Sequence, residues 1–248
     1  MDYRDQNPMS YSARAETATY DEGLRAYFLS VYNYMASAVA LTGIFAYLAS
    51  HYAPLLNALY VVNGNHIALS GLGWLVAFAP LAFVFGLSMG INRMSLGTAQ
   101  LVYWAYAAIM GLSLSSLFLL YTGQSIARVF FITAIMFGSM SIWGYSTKRD
   151  LTGMGHFMMM GLYGIIVASL INIFVHSSGL QFAVSILGVV IFTGLTAYDT
   201  QKIKAFYYQT SGDAVVTGKS AIMGALTLYL DFINLFIMMM RFLGDRRN

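Results

Sequence analysis

The sequence predicts an all-α integral membrane protein with seven transmembrane helices, and three observations carry that prediction. Hydrophobic residues make up 58% of the 248 and charged residues only 9%, whereas an ordinary soluble domain holds about 25% charged residues. The apolar residues gather into runs of about 20, the length a helix needs to cross some 30 Å of hydrocarbon. Basic residues stand singly or in pairs at the ends of those runs, which is a membrane-orientation pattern and not a nucleic-acid patch. The runs follow one another too closely for a separate soluble domain, so the expected organisation is a polar tail over 1–25 and one membrane domain over 26–248.

The tail mixes Arg4, Arg14 and Arg25 with Asp2, Asp5, Glu16, Asp21 and Glu22. That is the wrong flank for a cleavable signal peptide, and the first span is expected to be an uncleaved anchor. No Asp, Glu, Lys or Arg occurs between Arg25 and Arg93, which leaves room for spans near 27–50 and 67–91 joined by a neutral loop with Pro54 and Asn63-Gly64-Asn65. Pro80 is expected to kink the second span, because it lacks an N–H and its ring crowds the preceding turn. Gly86 and Gly90 have the spacing for close helix contact. Further spans are expected near 98–121, 125–145, 157–175, 180–200 and 221–243, separated by Asn92-Arg93, Thr122-Gly123-Gln124, Lys148-Arg149-Asp150, residues 176–179 and residues 202–219.

Basic residues are retained in cytoplasmic loops. With a cytoplasmic N-terminus, the tail and the turns after the second, fourth and sixth spans hold nine of the 13 Lys and Arg residues. Lys148 and Arg149 then face the cytoplasm and Asn63 the outside. Arg128, Arg241, Arg246 and Arg247 fall on the outer side. Either the seventh segment crosses and leaves three of these outside, or it is re-entrant around Asp231; at 23 residues it is roughly 34 Å long, which favours a full crossing.

Of the ten acidic residues, eight lie in tails or loops, and two, Asp199 and Asp231, close the sixth span and occupy the middle of the seventh. A charged Asp at a helix centre costs about 2.5 to 3.5 kcal/mol on the insertion scale, so these two need a partner or a watery cavity. Thr227 and Asn234 share the face of Asp231 at i−4 and i+3, giving one polar stripe that should point inward. Asp199 also fits a helix-end residue paired with Lys202 or Lys204. Should the two carboxyls meet, repulsion and desolvation would make them share one proton and titrate as a unit. The chain has no cysteine, which excludes disulfides and thiol chemistry. His51, His66, His156 and His176 have no ligand spacing, the Met158–160 and Met238–240 runs read as apolar filler, and Trp74, Trp104 and Trp143 fit interfacial or packing positions.

The stretches Thr196-Ala197-Tyr198-Asp199-Thr200-Gln201-Lys202-Ile203-Lys204 and Leu228-Tyr229-Leu230-Asp231-Phe232-Ile233-Asn234-Leu235-Phe236, the latter followed by Arg241-Phe242, resemble the two C-terminal signatures of the Bax inhibitor motif family, bacterial branch. The resemblance extends more loosely to Lys148-Arg149-Asp150-Leu151 and Asn172-Ile173-Phe174 and leaves out the N-terminal tail. It implies a seven-helix bundle with the last helix at its centre and pH-dependent passage of calcium. It also implies that Asp199 and Asp231 act as the proton sensor. A basic residue on the second helix is implied to latch the closed form by pairing with Asp199; Arg93 is the candidate here, and it fits a positive-inside anchor equally well.

Three functions follow. The first is a pH-gated leak for calcium, held weakly and transiently by Asp199 and Asp231 with Thr227, Asn234 and backbone oxygens, since calcium prefers six to eight oxygens. On this reading calcium is the permeant ion, no cofactor is needed and the protein is not an enzyme. The second, implied by the resemblance, is a regulator of cell death or stress acting through membrane-protein partners such as an inner-membrane protease. The third is an intramembrane aspartyl protease, but Asp231 follows Leu228-Tyr229-Leu230 and not the Gly-x-Gly turn of those enzymes. The expected location is a bacterial inner membrane.

Overall fold

A computed structural model describes residues 8–63 and 66–247. In chain order the elements are α1 (Pro8–His51), α2 (Ala53–Leu59), β1 (Tyr60–Asn63), β2 (His66–Leu69), α3 (Gly71–Gly90), α4 (Leu96–Leu120), α5 (Gly123–Ser146), α6 (Thr152–Val175), α7 (Ser178–Thr210) and α8 (Ala214–Leu243). Seven of these helices, α1 from Glu22 onward and α3 to α8, are long and apolar enough to cross a membrane. The chain is therefore an all-α polytopic membrane protein, as its hydropathy predicts.

Small polar residues in the turns start the helices. Ser70, Ser95, Thr122 and Ser177 each accept a hydrogen bond from the backbone N–H three residues on, and Asp213 accepts from Val215 and Val216. Such caps satisfy N–H groups that a helix start leaves without partners. The chain leaves α6 through His176 in the left-handed region, φ 52°.

Several boundaries depart from the sequence expectation. Residues 67–69 do not begin the second span; they pair in an antiparallel hairpin, Tyr60 with Leu69 through Asn63 with His66, and α3 starts only after the Ser70 cap. The stretch rich in Val and Ile favours extended pairing over helix. The expected loop over 202–219 shrinks to 211–213, because the buried Ile203 and Tyr207 carry α7 on for two and a half more turns. Residues 8–25 of the expected tail lie within α1. Helix α3 runs through the buried Pro80. Helix α8 is continuous, and the chain after it seats on the α4–α5 turn: Thr122 N donates to Asp245 O, Asp245 N to Ser125 Oγ and Arg247 N to Leu120 O. The seventh segment thus runs the full length of the bundle.

Helix α8 is the axis of the fold. Two-thirds (67%) of its apolar window is buried against 6% for α6, and it packs on α1, α4, α5 and α7. Close approaches are made where a side chain would not fit. A Cβ on Gly144 would lie 2.2 Å from Ala197 O, and one on Gly111 2.5 Å from Thr42 O, so these glycines set the α5–α7 and α1–α4 separations. The Gly86 and Gly90 pair does not serve that purpose: Gly86 faces open space and Gly90 meets only the tip of Met94, because α3 packs mainly on α4 at one side of the bundle.

Candidate functional site

The turn at 211–213 makes α7 and α8 antiparallel neighbours, and the side chains of Asp199 and Asp231 meet between them in hydrogen-bonding contact. An ionised carboxylate only accepts hydrogen bonds, so this contact requires one proton between the two groups. Asp231 is 5% exposed. Its Oδ2 is fully enclosed, and no N–H, hydroxyl or basic side chain among the described residues reaches it, which leaves the Asp199 carboxyl as the partner of this group. Among the described residues no ion pair joins Asp199 to Lys202 or Lys204: Lys204 Nζ donates to Tyr145 O at 2.9 Å and sits over the Tyr145 ring, while Lys202 stands on the same cleft as Asp199 and attracts its carboxyl without direct contact.

Asp199 opens on a cleft of about 170 Å³ that it lines with Tyr27, Lys202, Ser220 and Thr227. The Tyr27 hydroxyl bonds Ser220 Oγ at 2.9 Å across this cleft. Beside it, Thr200 Oγ1 donates to Thr196 O, so Ser141 Oγ must donate to Thr200 and the Tyr32 hydroxyl to Ser141, at 2.9 and 2.6 Å. Close packing at Gly144 brings Ser141 within reach of α7. Thr227 and Asn234, expected on one stripe with Asp231, part company. Thr227 joins the Asp199 cleft, whereas Asn234 lines a second cavity of about 630 Å³ toward the C-terminal end of α8. Asp231, between them along α8, lines neither.

Arg93 is exposed in the turn after α3 and forms no ion pair; among the described residues the one such pair is Arg128 with Asp245 at 2.8 Å. The turn does reach the rim of the site, since Lys219 Nζ donates to Asn92 O at 3.4 Å. Among the described residues no three His, Asp or Glu side chains converge, so a cation at the pair would have two carboxylates supplemented by hydroxyl and carbonyl oxygens.

A family model described as inhibitor of apoptosis-promoting Bax1 matches residues 24–248. The chain belongs to the Bax inhibitor family. The match takes in the seven spans but for the first two residues of the first, both aspartates and Arg93, and leaves out the first 23 residues. Relatives include a Rickettsia prowazekii protein, 52% identical over 94% of this chain and 95% of that one. The Escherichia coli inner membrane protein YbhL is 45% identical over 91% and 94%, and a Streptococcus pyogenes membrane protein 35% identical over 90% and 94%.

Sequence reasoning did not reach Tyr27, Ser220 or the Tyr32–Ser141–Thr200 chain. Each pairs helices far apart in sequence, and a lone Ser or Tyr in an apolar run carries no mark of its partner. Ser141 was legible only as a small polar residue inside a span, a weak signal shared by many packing serines, and Ser220 fell just before the expected seventh span.

Proposed function

We propose that this protein is a pH-sensitive cation leak of the bacterial inner membrane, with calcium as the permeant ion and the Asp199–Asp231 pair as proton sensor and transient ion site. The observation that carries the reading is the carboxyl pair held in contact at the centre of a membrane bundle, with a cleft lined by Asp199 opening beside it. Holding the proton joins the carboxyls; losing it creates two adjacent charges that repel each other and attract a divalent cation. The charged group beside the pair is Lys202, with the Tyr27 phenol on the same cleft wall. Arg93 acts as the latch on Asp199 in a closed form reached by movement of the α3–α4 turn, whose contact with Lys219 supports its proximity to the cleft.

Two joined carboxyls also favour the aspartyl-protease reading, since that chemistry uses a dyad sharing one proton. A cleft of about 170 Å³ is smaller than the roughly 300 Å³ at which ligand sites begin, which supports a conduit over peptide hydrolysis. The test is calcium flux into dye-loaded liposomes between about pH 6 and 8. Asp231→Asn is expected to abolish most flux, Asp199→Asn to flatten the pH response and Arg93→Ala to raise basal leak. Wild-type flux with an unchanged pH profile in a folded Asp231→Asn protein refutes the ion site, and cleavage of a transmembrane reporter that Asp231→Ala abolishes would establish the protease instead.

A further inference from the structure

Helix α6 packs along α7 and scarcely meets α8, which leaves a groove between α6 and α8 floored by α7, the cavity of about 630 Å³ that holds Asn234. Along α6 it runs from Leu162 to Ile173, about 16 Å of helix, or half of a hydrocarbon core of about 30 Å. The groove therefore has the length of one leaflet.

Its chemistry changes along that length. The deep part is walled by Leu162, Ile165, Phe192 and Met238. The two polar side chains along the way are turned to their own helices: Ser169 Oγ donates to Ile165 O and Asn234 Nδ2 to Leu230 O. The mouth carries Arg241, Gln181 and Asn172. Asn172 Oδ1 accepts from Ser177 N, which leaves its amide N–H groups as donors. Gln181 belongs to the first turn of α7, where the helix dipole favours negative charge. Arg241 has no acidic partner among the described residues, and Asp245, the nearby acid in sequence, is taken by Arg128. The mouth is thus a set of donors and positive charge without a counter-ion, above an apolar slot one leaflet deep.

We propose that this groove binds an anionic phospholipid, its acyl chain lying between α6 and α8 and its phosphate held by Arg241 with Gln181 and Asn172. Arginine suits phosphate through its planar fork of donors. A free phosphate would leave the apolar slot unfilled, and a zwitterionic headgroup would bring a cation to a mouth that has no acid for it. The proposal is independent of ion conduction.

The test is native mass spectrometry of the full-length protein in neutral detergent, incubated with equal amounts of phosphatidylglycerol and phosphatidylcholine. Phosphatidylglycerol is expected to be retained about tenfold over phosphatidylcholine, and Arg241→Gln to reduce that retention about tenfold, the effect of losing one charge-assisted hydrogen-bonded contact. Arg149→Gln, in the α5–α6 loop at the opposite end of α6 from the mouth, is expected to leave retention unchanged. Ser169→Phe, which fills the slot without altering charge, is expected to lose the lipid too, and it keeps the test decisive should Arg241→Gln fail to fold. Equal retention of the two lipids, retention unaffected by both Arg241→Gln and Ser169→Phe, or competition by glycerol 3-phosphate as strong as by the lipid each overturns the proposal.

Discussion

Replacing Asp231 by asparagine keeps the shape of the carboxyl pair and removes its dependence on a proton. In the wild type the contact is a hydrogen bond only while one proton is shared. Once it is lost, two like charges about 4 Å apart repel by about 4 kcal/mol at an effective dielectric constant near 20. That cost falls on the folded bundle and not on the unfolded chain, so wild-type stability is present while the proton is held and falls as pH rises and the proton leaves. In Asp231→Asn the amide donates to the Asp199 carboxylate at every pH, a hydrogen bond to a charged group worth about 1.5–3 kcal/mol. The variant is expected to match the wild type in acid and exceed it in alkali. With roughly 2–4 °C per kcal/mol for a chain of this size, the full repulsion corresponds to roughly 8–16 °C in melting temperature. Thermal unfolding followed by intrinsic fluorescence in detergent micelles, from about pH 5 to 9, measures this. A variant that loses stability with rising pH as steeply as the wild type would refute the shared proton.

Four other outcomes follow from named contacts. Gly144→Ala is expected to cost about 1–3 kcal/mol, the usual range for overpacking, because its Cβ would meet the backbone of Ala197; Gly86→Ala, facing open space, is expected to stay within about 0.5 kcal/mol, and equal melting of the two variants would contradict the assigned close approach. Thr42 Oγ1 donates to Ala107 O, so the Tyr229 hydroxyl must donate to Thr42 at 2.7 Å; Tyr229→Phe should lower stability by about 1 kcal/mol, and no change in chemical unfolding counts against that bond. In the α5–α6 loop the hydroxyl and N–H of Thr152 hold the Asp150 carboxyl below its ordinary value of 3.8. Its contribution is therefore present above that value and is lost as pH falls through the lowered one, so Asp150→Asn should weaken the acid dependence of unfolding below about pH 4. Finally, the native chain has no cysteine, so Asn63→Cys should react with a membrane-impermeant thiol reagent from outside and Lys148→Cys only from the cytoplasm; the reverse pattern would invert the topology.

The seven spans and the two intramembrane aspartates were determined by the sequence itself. A bilayer accepts only backbones satisfied within their own segment, so apolar length suffices to mark a helix, and a carboxyl inside such a run is conspicuous because burying it is costly. The starts of α4, α5 and α7 fall within two residues of the expected ones, where Ser95, Thr122 and Ser177 cap locally, whereas those of α3 and α8 do not, because the hairpin and the turn before them are set by packing. Tertiary structure alone decided what these parts do together. Whether Asp199 pairs with a lysine on its own helix or with Asp231 on the next depends on how α7 and α8 rotate about each other, and no local pattern fixes that rotation. The division of Thr227 and Asn234 between two cavities, the reach of Ser141 to Thr200 past Gly144, and the open groove headed by Arg241 have the same origin. Each is set by the distance between helices distant in sequence, and that distance is a property of the packed bundle as a whole.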